Sequence, residues 1–198
     1  RGCVPKKLMV FASHYSGYAE EAGTYGWDIT LGEFNWPSFQ ERLHAELSRL
    51  EAIYTRNADT AGVEILHQRA TVKDPHTVVL ADGTEKTTKH ILVAVGGTPF
   101  VPDTVPGIEH AITSNEIFDI PALPKKILIV GGGYIACEFA CIFNGLGSEV
   151  TQYYRGAQIL RGFDDEARGH IAELITGQGI NLHVGTDVER LEKRDDGI

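Results

Sequence analysis

The chain has 198 residues, of which 42% are hydrophobic and 23% charged, and its formal net charge is −9 at pH 7. These proportions are typical of a globular protein and exclude an intrinsically disordered chain. The acidic balance argues against nucleic acid or an anionic membrane as the main partner. No apolar run approaches the about 18 residues that a membrane helix needs, so we expect no membrane partner.

The two ends of the sequence predict a segment of a longer chain. It begins with Arg1-Gly2-Cys3, without an initiator Met or a signal peptide, and stops at Gly197-Ile198, where a further strand could begin. We therefore expect truncation at both ends. Three cysteines do not form a disulfide scaffold, which favours a reducing compartment. We expect a cytoplasmic protein, although a peptide that targets an organelle would lie upstream.

The N-terminal part predicts two helices and a connecting loop. Apolar residues at helical spacing indicate a helix over residues 3–22. Residues 23–36 are expected to be a loop. A longer amphipathic helix is predicted from Pro37 to near Gly62.

A small antiparallel β region is expected to follow the second helix. Residues 63–72, 77–80 and 87–95 have the composition of strands. Between the last two, Asp82-Gly83 is a strong hairpin signal. The proline-containing stretch 121–124 is typical of a linker, and we place a domain boundary there.

The last third alternates strands and helices. Strands are predicted at 126–130, 149–154 and 180–184, and helices at 134–146 and 164–177. Parallel strands that alternate with helices predict an α/β fold with an open, doubly wound sheet.

The turn after the first of these strands carries a dinucleotide-binding motif. Its six residues, Gly131, Gly132, Gly133, Tyr134, Ile135 and Ala136, match G-x-G-x-x-A. In this motif the first glycine makes the tight turn and the second lets the backbone approach a pyrophosphate at the helix N-terminus. The small sixth residue lets the helix pack closely on the strand. Its place between a predicted strand and a predicted helix makes the match specific.

The end of the second parallel strand indicates which dinucleotide binds. NAD enzymes usually place an acidic residue there, whereas this chain has Arg155, followed by Arg161. A carboxylate would repel a 2′-phosphate and two guanidinium groups would bind it. The pattern therefore favours NADPH over NADH. The alternative is that both arginines are solvated surface residues.

The cysteines fall into two classes. Cys3 is predicted at the head of a helix and is followed by Lys6 and Lys7, an environment that stabilises a thiolate and favours a nucleophile. A buried structural cysteine is the alternative. Cys137 and Cys141 lie four residues apart on the predicted helix of the dinucleotide motif, among apolar residues, and we interpret both as core residues.

Several segments together resemble one family of flavoenzymes. Residues 1–7, RGCVPKK, resemble the second half of the redox-active segment C-x-x-x-x-C-V-P-K-K of glutathione reductases, in the class I pyridine nucleotide-disulfide oxidoreductase family. Residues 131–140 resemble the NADPH fingerprint of that family, and Arg155 with residues 160–164 resembles its 2′-phosphate site. Residues 93–98 resemble its A-T-G-G motif on the flavin side, with Val95 in place of the usual Thr. Essentially the whole chain is covered, in order.

The resemblance implies a role for individual residues. Cys3 would be the flavin-proximal thiol, Lys6 would lie beside the flavin and pair with Glu138, and Tyr134 would be a lid over the nicotinamide site. Tyr54 matches a tyrosine that contacts glutathione, although its helical spacing alone predicts a core position. The expected cofactor contacts are Gly131, Gly132, Gly133, Ile135, Ala136, Glu138, Arg155 and Arg161 for NADPH, and Cys3, Lys6, Ala70 and Gly96 for FAD. No metal site is expected.

The implied fold is a Rossmann-like flavoprotein with two dinucleotide-binding domains and a small antiparallel β-meander. Residues 1–121 would form a partial FAD-binding domain that lacks its first strand, and residues 122–198 an NADPH-binding domain that is incomplete at its C-terminus. The implied activity is reduction of glutathione disulfide by NADPH through FAD and a redox-active disulfide, in a homodimer. The partner cysteine, the first glycine motif and the interface domain would lie outside the chain, so we expect this segment alone to be inactive.

Two alternatives remain at this point. Trypanothione reductase shares the C-V-P-K-K form, so another disulfide could be the substrate. The segment could also be a catalytically inactive fragment that only binds NADPH.

Overall fold

The computed structural model describes residues 2–195 and 197–198. Its first two elements are helices, as predicted. Helix α1 spans Cys3–Thr24 and helix α2 spans Trp36–Thr60. The start of α2 is capped by Asn35, whose Oδ1 accepts a hydrogen bond of 2.9 Å from the Ser38 N–H. An asparagine cap of this kind satisfies one of the free donors of the first turn.

The predicted antiparallel sheet is present. Its strands are β1 (Ala70–Asp74), β2 (Thr77–Leu80) and β3 (Glu85–Thr87), in the order β1-β2-β3. The turn between β2 and β3 contains Gly83 at φ +86°, while Asp82 Oδ1 accepts from the Thr84 N–H at 2.9 Å. The hairpin signal in the sequence is therefore confirmed, because this turn requires the left-handed backbone that glycine adopts readily.

The outer two strand predictions were wrong in extent. Strand β1 begins at residue 70 instead of 63, and residues 88–98 form no strand. The apolar side chains of this second segment are exposed, as Leu92 and Val95 show. Because a strand is stable only when its backbone groups pair with a neighbour, β-forming composition is not sufficient here. Among the described residues no strand pairs with 88–98.

The parallel sheet agrees closely with the sequence prediction. Its elements are β4 (Lys126–Val130), α3 (Tyr134–Gly145), β5 (Glu149–Tyr154), α4 (Asp165–Gly177) and β6 (Asn181–Val184). The strands are parallel in the order β4-β5-β6. This is the βαβαβ arrangement of a dinucleotide-binding half, in which ligands bind beyond the carboxyl ends of the strands.

The chain divides into two compact units. One comprises the residues up to Leu47 together with those from Pro99 onward, and the other comprises Ser48–Thr98. The first unit contains α1, the start of α2 and the whole parallel sheet, whereas the second contains the antiparallel sheet. The predicted boundary between residues 121 and 122 concerns binding domains and stays a prediction. No helix of the described residues is both long and apolar enough to cross a membrane.

Within the first unit, α1 packs directly on α3. Met9 of α1 is fully buried in the same core cluster as Phe143 of α3. The two backbones approach at Gly145, where a Cβ atom would lie 2.5 Å from the Ser13 carbonyl oxygen. Ser16 Oγ also donates to the Gly145 carbonyl at 2.9 Å. This close contact sets the first turn of α1 beside the first turns of α3.

Candidate functional site

The glycine turn between β4 and α3 has the geometry that the motif predicts. Gly131 has φ +146°, and its N–H donates to the Tyr153 carbonyl at 2.8 Å. A Cβ atom on Gly131 would lie 3.3 Å from the Ala136 Cβ. The first glycine and the small sixth residue therefore allow the close approach of strand and helix.

The third glycine borders open space. Gly133 is exposed and precedes α3 in an extended conformation, without a side-chain cap. No heavy atom lies within 4 Å of the place where its Cβ would be. The N–H groups of the first helical turn have no acceptor within the helix and lie at its positive end. No acidic side chain lies in that turn. The site thus fits a dinucleotide pyrophosphate.

Glycine is required at the middle position, Gly132, for a different reason. Gly132 is buried, and a Cβ atom on it would lie 2.4 Å from Cγ of Tyr154 and 2.5 Å from Cδ1 of the same ring. A Cβ on Gly156 would lie 2.6 Å from Cε1 of this ring. The Tyr154 ring therefore occupies a slot between two glycine backbones. Gly132 is required by protein packing, independently of any cofactor.

The two arginines lie in the segment after β5. Arg155 follows the strand directly, and both Arg155 and Arg161 are exposed. Within residues 2–195 and 197–198, neither guanidinium group forms a salt bridge. Leu160, between them, donates its N–H to the Gly132 carbonyl at 2.6 Å. This bond joins the arginine segment to the glycine turn.

A charged cluster lies where α1 meets α3. Lys6 is 7% exposed, and its Nζ forms an ion pair with Oε2 of Glu138. The same Nζ lies 5.2 Å from the centroid of the Tyr134 ring. A buried ammonium group requires such compensation, because an unpaired charge loses its hydration. The contact that the resemblance implied is present, while the roles of these residues stay predictions.

These residues border a cavity of about 730 Å³ between α1, α3 and α4. Cys3, Lys6, Tyr134 and Glu138 contribute to one part of its lining, and apolar side chains of α3 and α4 contribute to another. Tyr134 is half exposed at its edge. The arrangement offers a fixed positive charge, an exposed thiol and an apolar wall in one cavity.

The three cysteines are free and differ in environment. Cys3 is exposed, Cys137 is buried and Cys141 is half-buried against the core. Burial raises the pKa of the Cys137 thiol, although a hydrogen bond from Gln152 opposes this, and burial also raises the pKa of Cys141. A raised pKa disfavours the thiolate, so these two thiols are poor nucleophiles. The interpretation of Cys137 as a core residue is confirmed, and Cys141 lies at the core's edge.

One buried polar side chain was not singled out from the sequence. Gln152 of β5 is 0% exposed, and its Nε2 donates to the Gly131 carbonyl at 2.9 Å and contacts Cys137 Sγ at 3.5 Å. Its Oε1 has no hydrogen-bond partner among the described residues. The amide thus ties the strand to the glycine turn. A lone glutamine in a strand of mixed composition carries no signal that would distinguish this role.

The remaining predicted contacts lie in the second unit. Tyr54 is 61% exposed, so the core position that its helical spacing predicted was wrong. Ala70 is exposed at the start of β1, and Gly96 is exposed with φ +72°. Their predicted contacts with glutathione and FAD stay predictions. No group of His, Cys, Asp or Glu in the described part of the chain is arranged to hold a metal ion.

The parallel sheet, the open glycine turn and the two exposed arginines define an α/β dinucleotide-binding protein. The family model described as "Pyridine nucleotide-disulphide oxidoreductase" matches residues 1–198. The chain therefore belongs to the pyridine nucleotide-disulphide oxidoreductase family. Members of this family use FAD and NADPH.

Within this family, the chain is similar to glutathione reductases. A glutathione reductase of Burkholderia cepacia is 45% identical over 194 residues, covering 98% of this chain and 43% of that protein. The chloroplastic/mitochondrial glutathione reductase of Pisum sativum is 47% identical, covering 100% of this chain and 36% of that protein. The chain thus spans less than half the length of these relatives.

A solved structure confirms the fold. The HOCl-induced flavoprotein disulfide reductase RclA from Escherichia coli superimposes with a TM-score of 0.78 at 23% sequence identity. The match covers 98% of this chain and 41% of that chain. At this identity the similarity concerns the fold alone. The predicted Rossmann-like flavoprotein fold is therefore confirmed.

Proposed function

We propose that this chain is a segment of an NADPH-dependent, FAD-containing disulfide reductase, and that the complete enzyme reduces glutathione disulfide. The observation that carries the proposal is the pair of exposed guanidinium groups, Arg155 and Arg161, which have no acidic partner among the described residues and lie beyond the open glycine turn. The names of the curated relatives support the same substrate.

Different residues of the chain bind different parts of NADPH. The helix N-terminus at Gly133 holds the pyrophosphate, because open space lies before its Cα and unpaired N–H groups lie behind it. Ile135 and Ala136 belong to the same first turn. Arg155 and Arg161 bind the 2′-phosphate by charge-assisted hydrogen bonds. A carboxylate in place of either would repel that phosphate.

The reaction needs chemistry that the bound cofactors supply: hydride from NADPH and electron transfer through FAD. The ion pair with Glu138 holds the Lys6 ammonium group in the cavity. There its positive charge would stabilise the negative charge of a reduced flavin. Tyr134 covers the cavity edge and moves when a nicotinamide enters. Cys3, whose thiol is exposed, serves as the flavin-proximal half of the redox-active disulfide, and its partner cysteine exchanges with the substrate.

Further properties of the complete enzyme follow from the family resemblance. We propose a cytoplasmic homodimer in which Tyr54 contacts glutathione, and Ala70 and Gly96 contact FAD. Residues 1–121 then belong to the FAD-binding domain and residues 122–198 to the NADPH-binding domain. Sedimentation of the complete enzyme at micromolar concentration tests the oligomeric state, and a monomer would contradict this part of the proposal.

The cofactor part of the proposal is tested by titrating the purified chain with NADPH and with NADH, followed by nicotinamide fluorescence. We expect NADPH to bind at least about tenfold tighter, and Arg155→Glu to remove this preference. Lys125→Glu is the matched control. It makes the same charge change on an exposed residue that precedes β4, whereas the glycine turn follows β4 at its other end.

Equal affinities for the two nucleotides in a folded chain would refute the assignment of the 2′-phosphate site. A loss of binding in both variants would show that net charge, and not the site, governs affinity.

Reduction of glutathione disulfide is tested in the complete enzyme by following NADPH oxidation with glutathione disulfide as the substrate. Cys3→Ser should abolish turnover and leave NADPH binding intact.

A further inference from the structure

The segment that carries both arginines has no regular secondary structure. Residues 155–164, between β5 and α4, form neither helix nor strand. Two long, exposed side chains on an irregular segment would bind a phosphate poorly unless the backbone beneath them were held in place, because ordering a flexible segment costs conformational entropy. The contacts of this backbone therefore decide how the two arginines are presented.

Arg168 of α4 holds this backbone from the helix side. Its Nε donates to the Ile159 carbonyl at 2.8 Å, and its Nη2 donates to the Gln158 carbonyl at 3.1 Å. Its Nη1 donates to Oδ1 of Asp165 at 2.5 Å. The Arg168 side chain is 18% exposed. One guanidinium group thus satisfies two successive carbonyl groups of the segment.

The segment is anchored from the other side as well. The Leu160 N–H donates to the Gly132 carbonyl, and the Ile159 side chain is fully buried. Leu160 has φ +56°, a conformation that costs free energy for a residue with a Cβ atom. Such a conformation persists only where surrounding contacts hold it. Gln158 and Ile159, whose carbonyl groups Arg168 binds, immediately precede Leu160 in the chain.

We propose that Arg168 is a positioning residue of the 2′-phosphate site. It fixes the carbonyl groups of Gln158 and Ile159, keeps Leu160 in its left-handed conformation and so presents Arg155 and Arg161 together. Arg168 acts through the backbone and does not itself contact the phosphate. This inference rests on the proposed function, which it deepens by naming what pre-organises the site for NADPH.

The simpler interpretation is that Arg168 only forms a helical ion pair with Asp165. The Asp165 side chain is 92% exposed, and exposed pairs contribute little to stability. The two carbonyl bonds are partly buried and join residues nine and ten positions apart. Because an arginine presents several donors in a planar fork, it can serve both carbonyls, whereas a lysine cannot.

The test compares Arg168→Lys and Arg168→Met with two controls, Asp165→Ala and Glu173→Gln. Calorimetry measures binding of 2′,5′-ADP, which carries the 2′-phosphate, and of 5′-ADP, which lacks it. We expect both Arg168 variants to bind 2′,5′-ADP roughly tenfold more weakly, because neither lysine nor methionine can hold both carbonyl groups, with little change for 5′-ADP. Asp165→Ala and Glu173→Gln should change neither ligand's affinity more than about twofold.

A second measurement does not depend on any cofactor. Hydrogen exchange of the Leu160 amide reports directly on its bond to Gly132. Both Arg168 variants should accelerate this exchange, while the α4 amides after Ala172 keep wild-type rates. Unchanged Leu160 exchange would overturn the proposal. So would normal 2′,5′-ADP affinity in Arg168→Lys, since that outcome would show that charge alone suffices.

The two proposals fail differently. If the wild-type chain does not discriminate 2′,5′-ADP from 5′-ADP, the proposed NADPH site is wrong. Accelerated Leu160 exchange in the variants would then still show that Arg168 holds the segment, and only its connection to NADPH would be refuted.

Discussion

The three consecutive glycines of the dinucleotide motif look alike in the sequence, but each position favours glycine for a different structural reason. Gly131 needs a positive φ and a small neighbour, Gly132 makes room for the Tyr154 ring, and Gly133 borders open space. The motif pattern treats the middle position as arbitrary. In this chain it is constrained by packing, since only a residue without Cβ leaves room for the ring.

This difference predicts effects of unequal size on stability for two alanine substitutions. Gly132→Ala should lower the free energy of unfolding by about 1–3 kcal/mol, because its methyl group would overlap the Tyr154 ring. Gly133→Ala should change it by less than about 0.5 kcal/mol, since φ is −79° and the space is open. Urea unfolding measures both changes.

The same pair of variants separates folding from binding. Gly133→Ala should weaken NADPH binding, because a methyl group would stand between backbone and pyrophosphate. In a Tyr154→Val background, Gly132→Ala should cost less than it does alone, as a double-mutant cycle would reveal. Additive costs in that cycle would mean that the ring is not what excludes a side chain at 132.

At the scale of elements, the N-terminal cap of α4 affects the arginine segment. Asp164 caps this helix, and its Oδ1 accepts from the Ala167 N–H at 3.0 Å. The helix then carries Arg168, which reaches back to the arginine segment. The start of α4 therefore sets the position of the guanidinium group that holds that segment.

Loss of this cap should destabilise α4 and loosen the arginine segment together. Asp164→Ala is expected to lower the free energy of unfolding by about 1 kcal/mol, whereas Asp164→Ser keeps a capping oxygen and should cost less. Both values can be read from urea unfolding. Equal costs for the two variants would indicate that the cap bond is not the source of the effect.

The helices and parallel strands were predictable because their signals are local. Periodicity and the glycine turn located the three strands and two helices of the parallel-sheet region to within about two residues. Residues 88–95 were wrongly predicted to be part of a strand. Strand formation depends on a partner elsewhere in the chain, which composition does not reveal.

For the whole molecule, the thiols of Cys137 and Cys141 make the free energy of unfolding depend on pH in the alkaline range. The pKa values of Cys137 and Cys141 are raised above 9.0 by burial in the folded chain. The unfolded chain loses these protons first as pH rises. Their contribution is therefore fully present below about pH 9 and is lost as pH rises through the folded-state values.

We expect the urea midpoint to fall between pH 8 and pH 10, more steeply in the wild-type chain than in a Cys137→Ala/Cys141→Ala variant. The slope against pH is the quantity to compare, since the variant also loses packing contacts. Parallel slopes would assign the alkaline loss to groups other than these two thiols.

Local features could be read from the sequence: the fold class, the glycine turn, the approximate helix limits and the arginine pair on which the NADPH proposal rests. Each depends on backbone preferences or on residues a few positions apart, so it is written in short patterns. Only tertiary contacts place the Tyr154 ring in the slot at Gly132, bury Gln152 against the glycine turn and join Arg168 to the arginine segment. These are contacts between residues distant in sequence or between a side chain and a backbone carbonyl, and neither kind leaves a periodic trace in the chain.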